Sequence, residues 1–400
     1  MFFTLNVDKK SGAKIRFFFI LRYNNVLKGE KKIRIAMAVA NDLVTDRRVD
    51  RHCRTLTEAG YDVVLIGREL PESIPVERSY PTVRMKLRHR RGWRFYAEYN
   101  LRLAMMLRRM AFDVVWANDL DTLPGCWITA CRKRSPLVLD CHEIFPEVPE
   151  IRHKSLVKAV WRTVEKLMPR CDALLTVCNS LADYYHTKYG VKMTVVRNIS
   201  DELAVAPRRS SLITDYSSLH LLLYQGAVNV GRGVDWAIDA LEWLPECRLV
   251  VAGGGDLLEE MKAYAASKPW TNRIQFLGQV PPSELTSLTG AADVGLVMLE
   301  EMGLNYHFAL PNRIGDFVAA GVPMVVSDMP EMTAVVKRYG VGEVIDRLHG
   351  TDGRAKAKAL AEAVERVLLR EWSDADFIEA RKDMDWNKEK EKLLKIIELI

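Results

Sequence analysis

Two doubly wound α/β domains are expected here, on three observations. Short apolar runs alternate with longer stretches of helical periodicity. The runs read as strands buried on both faces, which implies parallel sheets covered by helices. The alternation breaks over residues 199–218 and then restarts, so the pattern occurs twice. A chain of 400 residues is long enough for two domains with separate cores.

IRIAMAVA (33–40) opens the first series, and a helix from about Asp46 to Ala59 follows. DVVLIG (62–67) is the next strand. A helical stretch over about 93–111 leads to DVVWAND (113–119), and a helix over 120–132 leads to PLVLDCHE (136–143). A helix over about 153–168, the strand DALLTVC (172–178), a helix over 179–189 and the strand MTVVRN (193–198) complete the series. In the second series LHLLLYQG (219–226) precedes a helix from about Arg232 to Leu244. CRLVVAGGG (247–255), a helix to about Ser267, RIQFLG (273–278) and a helix over 283–290 come next. ADVGLVML (292–299), a helix over 311–320 and VPMVVSD (322–328) end it. DWNKEKEKLLKIIELI (385–400) has the pattern of a final amphipathic helix. The domains expected are 32–205 and 219–370, joined by a linker at 206–218 and followed by C-terminal helices over 371–400. Residues 1–31 read as a disordered extension.

Hydrophobic residues make up 48% and charged residues 28%, the balance of a soluble globular enzyme. The net charge of +6 suits anionic ligands or an anionic membrane surface. No nucleic-acid-binding signature accompanies it. Seven dispersed cysteines without a C-x-x-C pair read as reduced thiols of a cytoplasmic protein, with Cys141, Cys171 and Cys178 in the core. FFFIL at 17–21 is too short for a signal-peptide core or a membrane span.

In a doubly wound domain, ligands bind at the C-terminal ends of the strands. Four turns there could carry chemistry. VVAGGGD (250–256) puts Gly253, Gly254 and Gly255 between strand and helix, either as a phosphate cradle or as a tight turn needing positive φ. YQGAVNVGRGVD (224–235) places Gly226 and then Arg232 before the next helix; the arginine can fork onto phosphate or lie on the surface. In ALPNRIGDFVAAG, Pro311 suits a first helical turn, Asn312 and Arg313 bring free amides and a charge, and Asp316 could accept sugar hydroxyls or simply be solvated. LDCHE (139–143) and NDLDT (118–122) set His142, Glu143, Asp119 and Asp121 at strand ends, as a base or donor with acids, or as a cap and loop network.

In order and spacing these segments resemble the GT-B-fold glycosyltransferases, specifically the large retaining family 4. The resemblance covers about residues 32–400. ANDLVTDRRVDRHCRTLTEAGYDVVLIG is similar to the family's opening strand, loop and helix, with Asn41 and Asp46 on the acceptor side beside Asp119 and Glu143. YQGAVNVGRGVDWAIDAL, VVAGGGD, FLGQVPPSEL and ALPNRIGDFVAAGVPMVVSDMPE follow as in the donor domain. The resemblance implies a UDP-, GDP- or ADP-type sugar donor, no cofactor and no metal. By the same resemblance Arg232 would bind the diphosphate, Gly278 to Val280 the base through backbone atoms, and Asp316 the ribose. His142 would lie near the sugar's C6 hydroxyl. Trp386 and the last helix would cross back to the first domain. The chain departs from the pattern at Phe308, where a glutamate usually touches the sugar, with Glu300 and Glu301 out of register. It also departs at Ala227, where an arginine is common.

Residues 84–109 hold nine basic residues and one acid, with Trp93, Phe95, Tyr96 and Tyr99 interleaved. As an amphipathic helix this stretch suits an anionic membrane surface, or it is a solvated basic face. With the membrane reading, the enzyme would sit at the inner face of the cell membrane and glycosylate a saccharide or lipid-linked acceptor in surface polysaccharide synthesis. The alternatives are a nucleotide-sugar epimerase of the same fold and a non-catalytic nucleotide-sugar-binding subunit.

Overall fold

The computed structural model describes residues 32–44, 46–148, 151, 153–199, 210–213, 219–345 and 352–400. Residues 33–400 form one compact unit that contains both sheets. The expected extension at 1–31 lies outside the described residues, as does most of the expected linker.

The first domain contains β1 (Arg34–Ala38), α1 (Arg47–Glu58), β2 (Asp62–Glu69), β3 (Thr82–Lys86), α2 (Gly92–Arg109) and β4 (Val114–Asn118). It continues with α3 (Leu123–Lys133), β5 (Leu137–Cys141), α4 (Ser155–Glu165), β6 (Ala173–Thr176), α5 (Asn179–Tyr189) and β7 (Thr194–Val195). Its strands are all parallel in the order β3-β2-β1-β4-β5-β6-β7. Side chains alternate across the sheet as a strand requires. Ile35 and Met37 enter one core layer, while Ala36 and Ala38 enter the other.

The second domain contains β8 (His220–Gln225), α6 (Val234–Ala240), β9 (Cys247–Ala252), α7 (Leu258–Ala266), β10 (Ile274–Gly278), α8 (Pro282–Gly290) and β11 (Val294–Val297). After these come α9 (Leu304–His307), α10 (Arg313–Ala320), β12 (Met324–Ser327), α11 (Pro330–Tyr339), β13 (Gly342–Ile345) and α12 (Gly353–Leu368). The parallel order is β10-β9-β8-β11-β12-β13. Strand order reverses between β1 and β4 and between β8 and β11, so ligand crevices are expected outside those strand ends.

Helices α13 (Ile378–Asp383) and α14 (Trp386–Glu398) divide between the domains. Phe377, Ala380 and Met384 pack in the second domain's core, whereas Trp386, Leu393, Ile396 and Ile397 join the first domain's layer with Val49 and Leu56 of α1. The crossover expected of the last helix is therefore present. Arg197 fastens it: its guanidinium donates to Glu389 Oε1 (2.9 Å) and Asp383 Oδ2 (2.7 Å), and its N–H donates to Glu389 Oε2 (2.9 Å).

Three details differ from the sequence reading. Residues 82–86 form an edge strand, so the basic stretch 84–109 is a strand end, a loop and a helix rather than one helix. Within α2, Phe95 and Tyr99 face the core and Tyr96 is half-buried; of the four interleaved rings, Trp93 is the exposed one. In the described part of the expected linker, Ile213 packs in the second domain and Leu212 O accepts from Gln275 Nε2 (3.1 Å). All seven cysteines are free; Cys141 and Cys178 are buried and Cys171 half-buried. Among the described residues no helix is long and apolar enough to cross a membrane.

Candidate donor and acceptor sites

At the C-terminal edge of the second sheet, the ends of β8, β9 and β10 are laced by backbone. Gly226 N–H donates to Ala252 O, Val228 N–H to Gly254 O and Gly253 N–H to Gly278 O, at 2.9, 2.9 and 2.7 Å. A Cβ on Gly253 would stand 1.8 Å from Gly226 O, and one on Gly255 would stand 2.3 Å from Val228 O. Both residues have φ above 150°. The close approach of the loops thus demands these glycines. Gly278, at φ 66°, faces open space, and Val280 packs partly against the core beneath it.

Arg313 behaves differently from the expectation. Helix α10 begins at Arg313 itself, with the exposed Asn312 as N-cap and Pro311 just before it; Ile314 N–H donates to Pro311 O (3.0 Å). The Arg313 side chain does not project from the helix start toward solvent. It is 6% exposed, donates to Gln225 O (2.8 Å) and Met298 O (3.4 Å), and lies over the Tyr224 ring. The carbonyl oxygens at the ends of β8 and β11 draw it inward. Its Nη1 is 2.6 Å from the place a Gly226 Cβ would occupy. The charge therefore sits directly beneath the Gly226 turn.

Arg232 is half-buried, with its guanidinium over the Tyr306 ring at 4.8 Å and its Nε without a hydrogen-bond partner. Tyr306 is itself tied to Val230 O (3.3 Å). An aromatic face orients this cation while leaving its charge available. Asp316 accepts from Gln225 Nε2 (3.0 Å), and Gln225 Oε1 is held by Thr289 (2.8 Å). Burial raises the Asp316 carboxyl, with Arg47 and Arg51 of α1 acting in the opposite sense. The carboxyl is thus within electrostatic reach of α1 in the first domain.

Phe308 is also directed at the first domain. Its ring packs near Tyr184 of α5, and its carbonyl accepts from Cys178 Sγ (3.3 Å). Ile144 N–H donates to Asn305 Oδ1 (3.0 Å), and Ser180 N–H to Glu331 Oε1 (2.7 Å). Where the resemblance called for a sugar-binding carboxylate, this chain has an apolar contact between domains. Glu300 pairs with Lys356, and Glu301 with His307 (3.0 Å).

At the C-terminal edge of the first sheet, His142 follows β5 as expected of a strand-end residue. Its Nδ1 is 2.9 Å from Asp119 Oδ2 and its Nε2 3.0 Å from Asp140 Oδ2. Burial opposes charging the ring, yet the Asp119 and Asp140 carboxylates outweigh it and hold the pKa well above the usual histidine range. The His142 ring is thus held on both sides, with Arg48 Nε also 3.0 Å from its Nε2. Asp119, in a left-handed conformation (φ 64°), also accepts the His142 backbone N–H (2.7 Å). Asp140 is fully buried and held at both oxygens by Arg48, at 2.7 and 2.9 Å. Burial would raise it, but Arg48 and then His142 keep it well below the carboxylate range.

Beside this cluster, His52 stacks on Trp386 at 5.8 Å, and burial and Arg48 push it well below its usual pKa. Asp121 is raised well above the usual range by burial and by Asp119. Asn41 and Asp46 build the β1–α1 loop: Asp46 caps Val49 N–H (3.0 Å) and accepts from Asn41 Nδ2 (2.8 Å). These contacts tie Asn41 and Asp46 into the loop. Glu143 is exposed at the same strand end.

Arg48 and Asp140 were not singled out from sequence. The signal was present: a carboxylate inside the apolar strand LVLDC needs a buried cation.

The family model for Glycosyltransferase Family 4 matches residues 45–201, and that for Glycosyl transferases group 1 matches residues 220–370. Together they cover well over half of the chain. An uncharacterized glycosyltransferase of Methanocaldococcus jannaschii is 26% identical over 198 residues, which is 47% of this chain and 45% of that one. The match thus spans under half of that relative's length. Sucrose-phosphate synthase from Thermosynechococcus elongatus superposes with a TM-score of 0.74 at 16% identity, covering 92% of this chain and 98% of its own. Anabaena HepE in complex with UDP-glucose gives 0.69 at 13%, covering 92% and 100%. At such identities these two structures speak for the fold. With both models in chain order over two facing Rossmann-like domains, the chain belongs to the family 4 and group 1 glycosyltransferases of the GT-B fold.

Proposed function

We propose that this protein moves a sugar from a nucleotide-diphosphate sugar to a saccharide or lipid-linked acceptor, with retention at the anomeric carbon. The observation that carries the reading is the Gly226 turn, backed by buried Arg313 and flanked by Arg232. The glycine turn and the two arginines stand at the strand ends where this fold binds ligands. A diphosphate leaving group gains charge as the glycosidic bond breaks, and fixed cations there stabilise it most in the transition state. In this reading the amides at Gly254, Gly255 and Asn312 receive the phosphates, and Asp316 holds the ribose hydroxyls. Backbone at Gly278 and Val280 meets the base.

His142, held between Asp119 and Asp140, lines the acceptor side near Glu143. The docked Phe308 loop keeps water from the reacting bond. A UDP-type donor is supported by the likeness to HepE, whose complex holds UDP-glucose; GDP and ADP donors fit the same cations. No cofactor is required by this scheme. The setting is surface-glycan synthesis at the cytoplasmic face of the membrane, with contact through the basic stretch 84–109.

Thermal-shift titration with UDP-, GDP-, ADP- and dTDP-sugars tests the donor reading; stabilisation by one nucleotide class is expected. Nuclear magnetic resonance of the product then reads the anomeric configuration, and an inverted product contradicts retention. Conversion of the donor to its epimer without acceptor would replace transfer by epimerisation.

A further inference from the structure

The basic stretch does not act alone. Helix α4 shows an apolar outer face: Leu156 is 84% exposed and Val160 61%. On α2, Trp93 is 74% and Leu101 63% exposed. The two helices meet, because Tyr96 of α2 packs edge-on against Trp161 of α4 at 5.0 Å. Helix α2 starts beyond the C-terminal end of β3, and α4 follows the loop that leaves β5 after His142. The strands are parallel, so both first turns stand at the sheet edge that carries His142.

Cations predominate around this face, where Glu147 is paired with Lys158 (3.3 Å) and Arg162 (3.4 Å) of α4. Arg88, Arg90, Arg91, Arg94 and Lys154 are exposed there. Glu98, the one acid in residues 84–109, turns back to accept from the amides of Arg88 and His89 (both 3.0 Å) and pairs with Arg102 (2.8 Å). The Arg88 amide first, with burial working against it, pulls Glu98 down to about 2, so the carboxylate is already matched inside the loop.

We propose that α2 and α4 together form a dock for an anionic bilayer, with Trp93, Leu101, Leu156 and Val160 entering the headgroup layer. This rests on the membrane contact proposed above and adds α4, a second helix of a different segment. Apolar side chains ringed by arginine and lysine are the composition of an interfacial surface. A two-helix contact also fixes orientation: the edge bearing His142 faces the bilayer, so an acceptor hydroxyl on a lipid headgroup arrives beside it.

Flotation of the full chain with phosphatidylcholine vesicles, with and without phosphatidylglycerol, tests this. Binding is expected only with the anionic lipid. L156S/V160S and W93S/L101S should each weaken partitioning about tenfold or more, with unchanged thermal unfolding. If L156S/V160S floats like the wild type while W93S/L101S does not, α4 is no part of the dock and this inference falls, while membrane contact stands. If the wild type binds neither vesicle, both fall. A concentration-dependent dimer that L156S/V160S abolishes, without vesicle binding, would assign the face to a second copy of the chain and overturn the proposal.

Discussion

Replacing Arg48 with methionine tests the buried cluster that holds His142. The Arg48 and Asp140 side chains are 4% and 0% exposed and joined by two hydrogen bonds. Removing one partner from such a pair destabilises by about 3–5 kcal/mol, because the other charge stays buried. Asp140 would keep His142 at 3.0 Å, which favours the lower end. Val196 O would lose the 2.7 Å bond from Arg48 Nη1, adding about 1 kcal/mol. The expected loss is therefore about 3–4 kcal/mol, a large share of the ~5–15 kcal/mol that stabilises a typical domain.

The sign of its pH dependence follows from Asp140. A carboxyl depressed in the folded state stabilises the fold above its unfolded value, about 3.9, and that stabilisation is lost as pH falls through the folded value. Arg48→Met weakens the depression, so the two proteins should differ most at neutral pH and converge in acid. Urea unfolding followed by tryptophan fluorescence at about pH 7 and at about pH 2–3, below the unfolded carboxyl value, measures this. A loss below about 1 kcal/mol at neutral pH, a surface-pair value, or a loss identical at both pH values, would refute the reasoning.

Arg232→Ala should lower turnover by roughly 100–1000-fold, the scale of one lost transition-state contact, and near-normal kcat would contradict its place at the diphosphate. Gly253→Ala puts a methyl group 1.8 Å from Gly226 O; a loss of ~3 kcal/mol or a failure to fold is expected, read by thermal unfolding. Trp386→Ala should destabilise by about 3–5 kcal/mol, as for a buried large aromatic. It should also release His52, whose ring proton exchange is visible by nuclear magnetic resonance; an unchanged His52 signal would deny the stacking.

Most strands could be read directly because they are buried on both faces and so lack polar interruptions. β3 was passed over because TVRMK carries two cations on a half-buried edge and ran into the basic stretch behind it. β13, with sequence GEVI, is short, and its flanking α11 and α12 were hidden in a charged stretch. In the site, positions were legible but directions were not. Nothing local in PNR says that Arg313 turns inward; the Gln225 and Met298 carbonyls that draw it lie far off in sequence. His142 could be located at a strand end, but its charge state depends on Asp119 and Asp140 from two strands together. Phe308 looked like a lost carboxylate, and only the fold shows it beside Tyr184 of the other domain.

The crossing of α14 also has a consequence for biosynthesis. One apolar layer of the first sheet is closed by Trp386, Leu393, Ile396 and Ile397. A ribosome delivers those side chains after the whole second domain. Until then α1 and its strands present an uncovered greasy flank, a natural client for a trigger-factor-like holdase. The first domain to emerge is therefore the last to be sealed, and a nonsense mutation anywhere in the second half would leave it open.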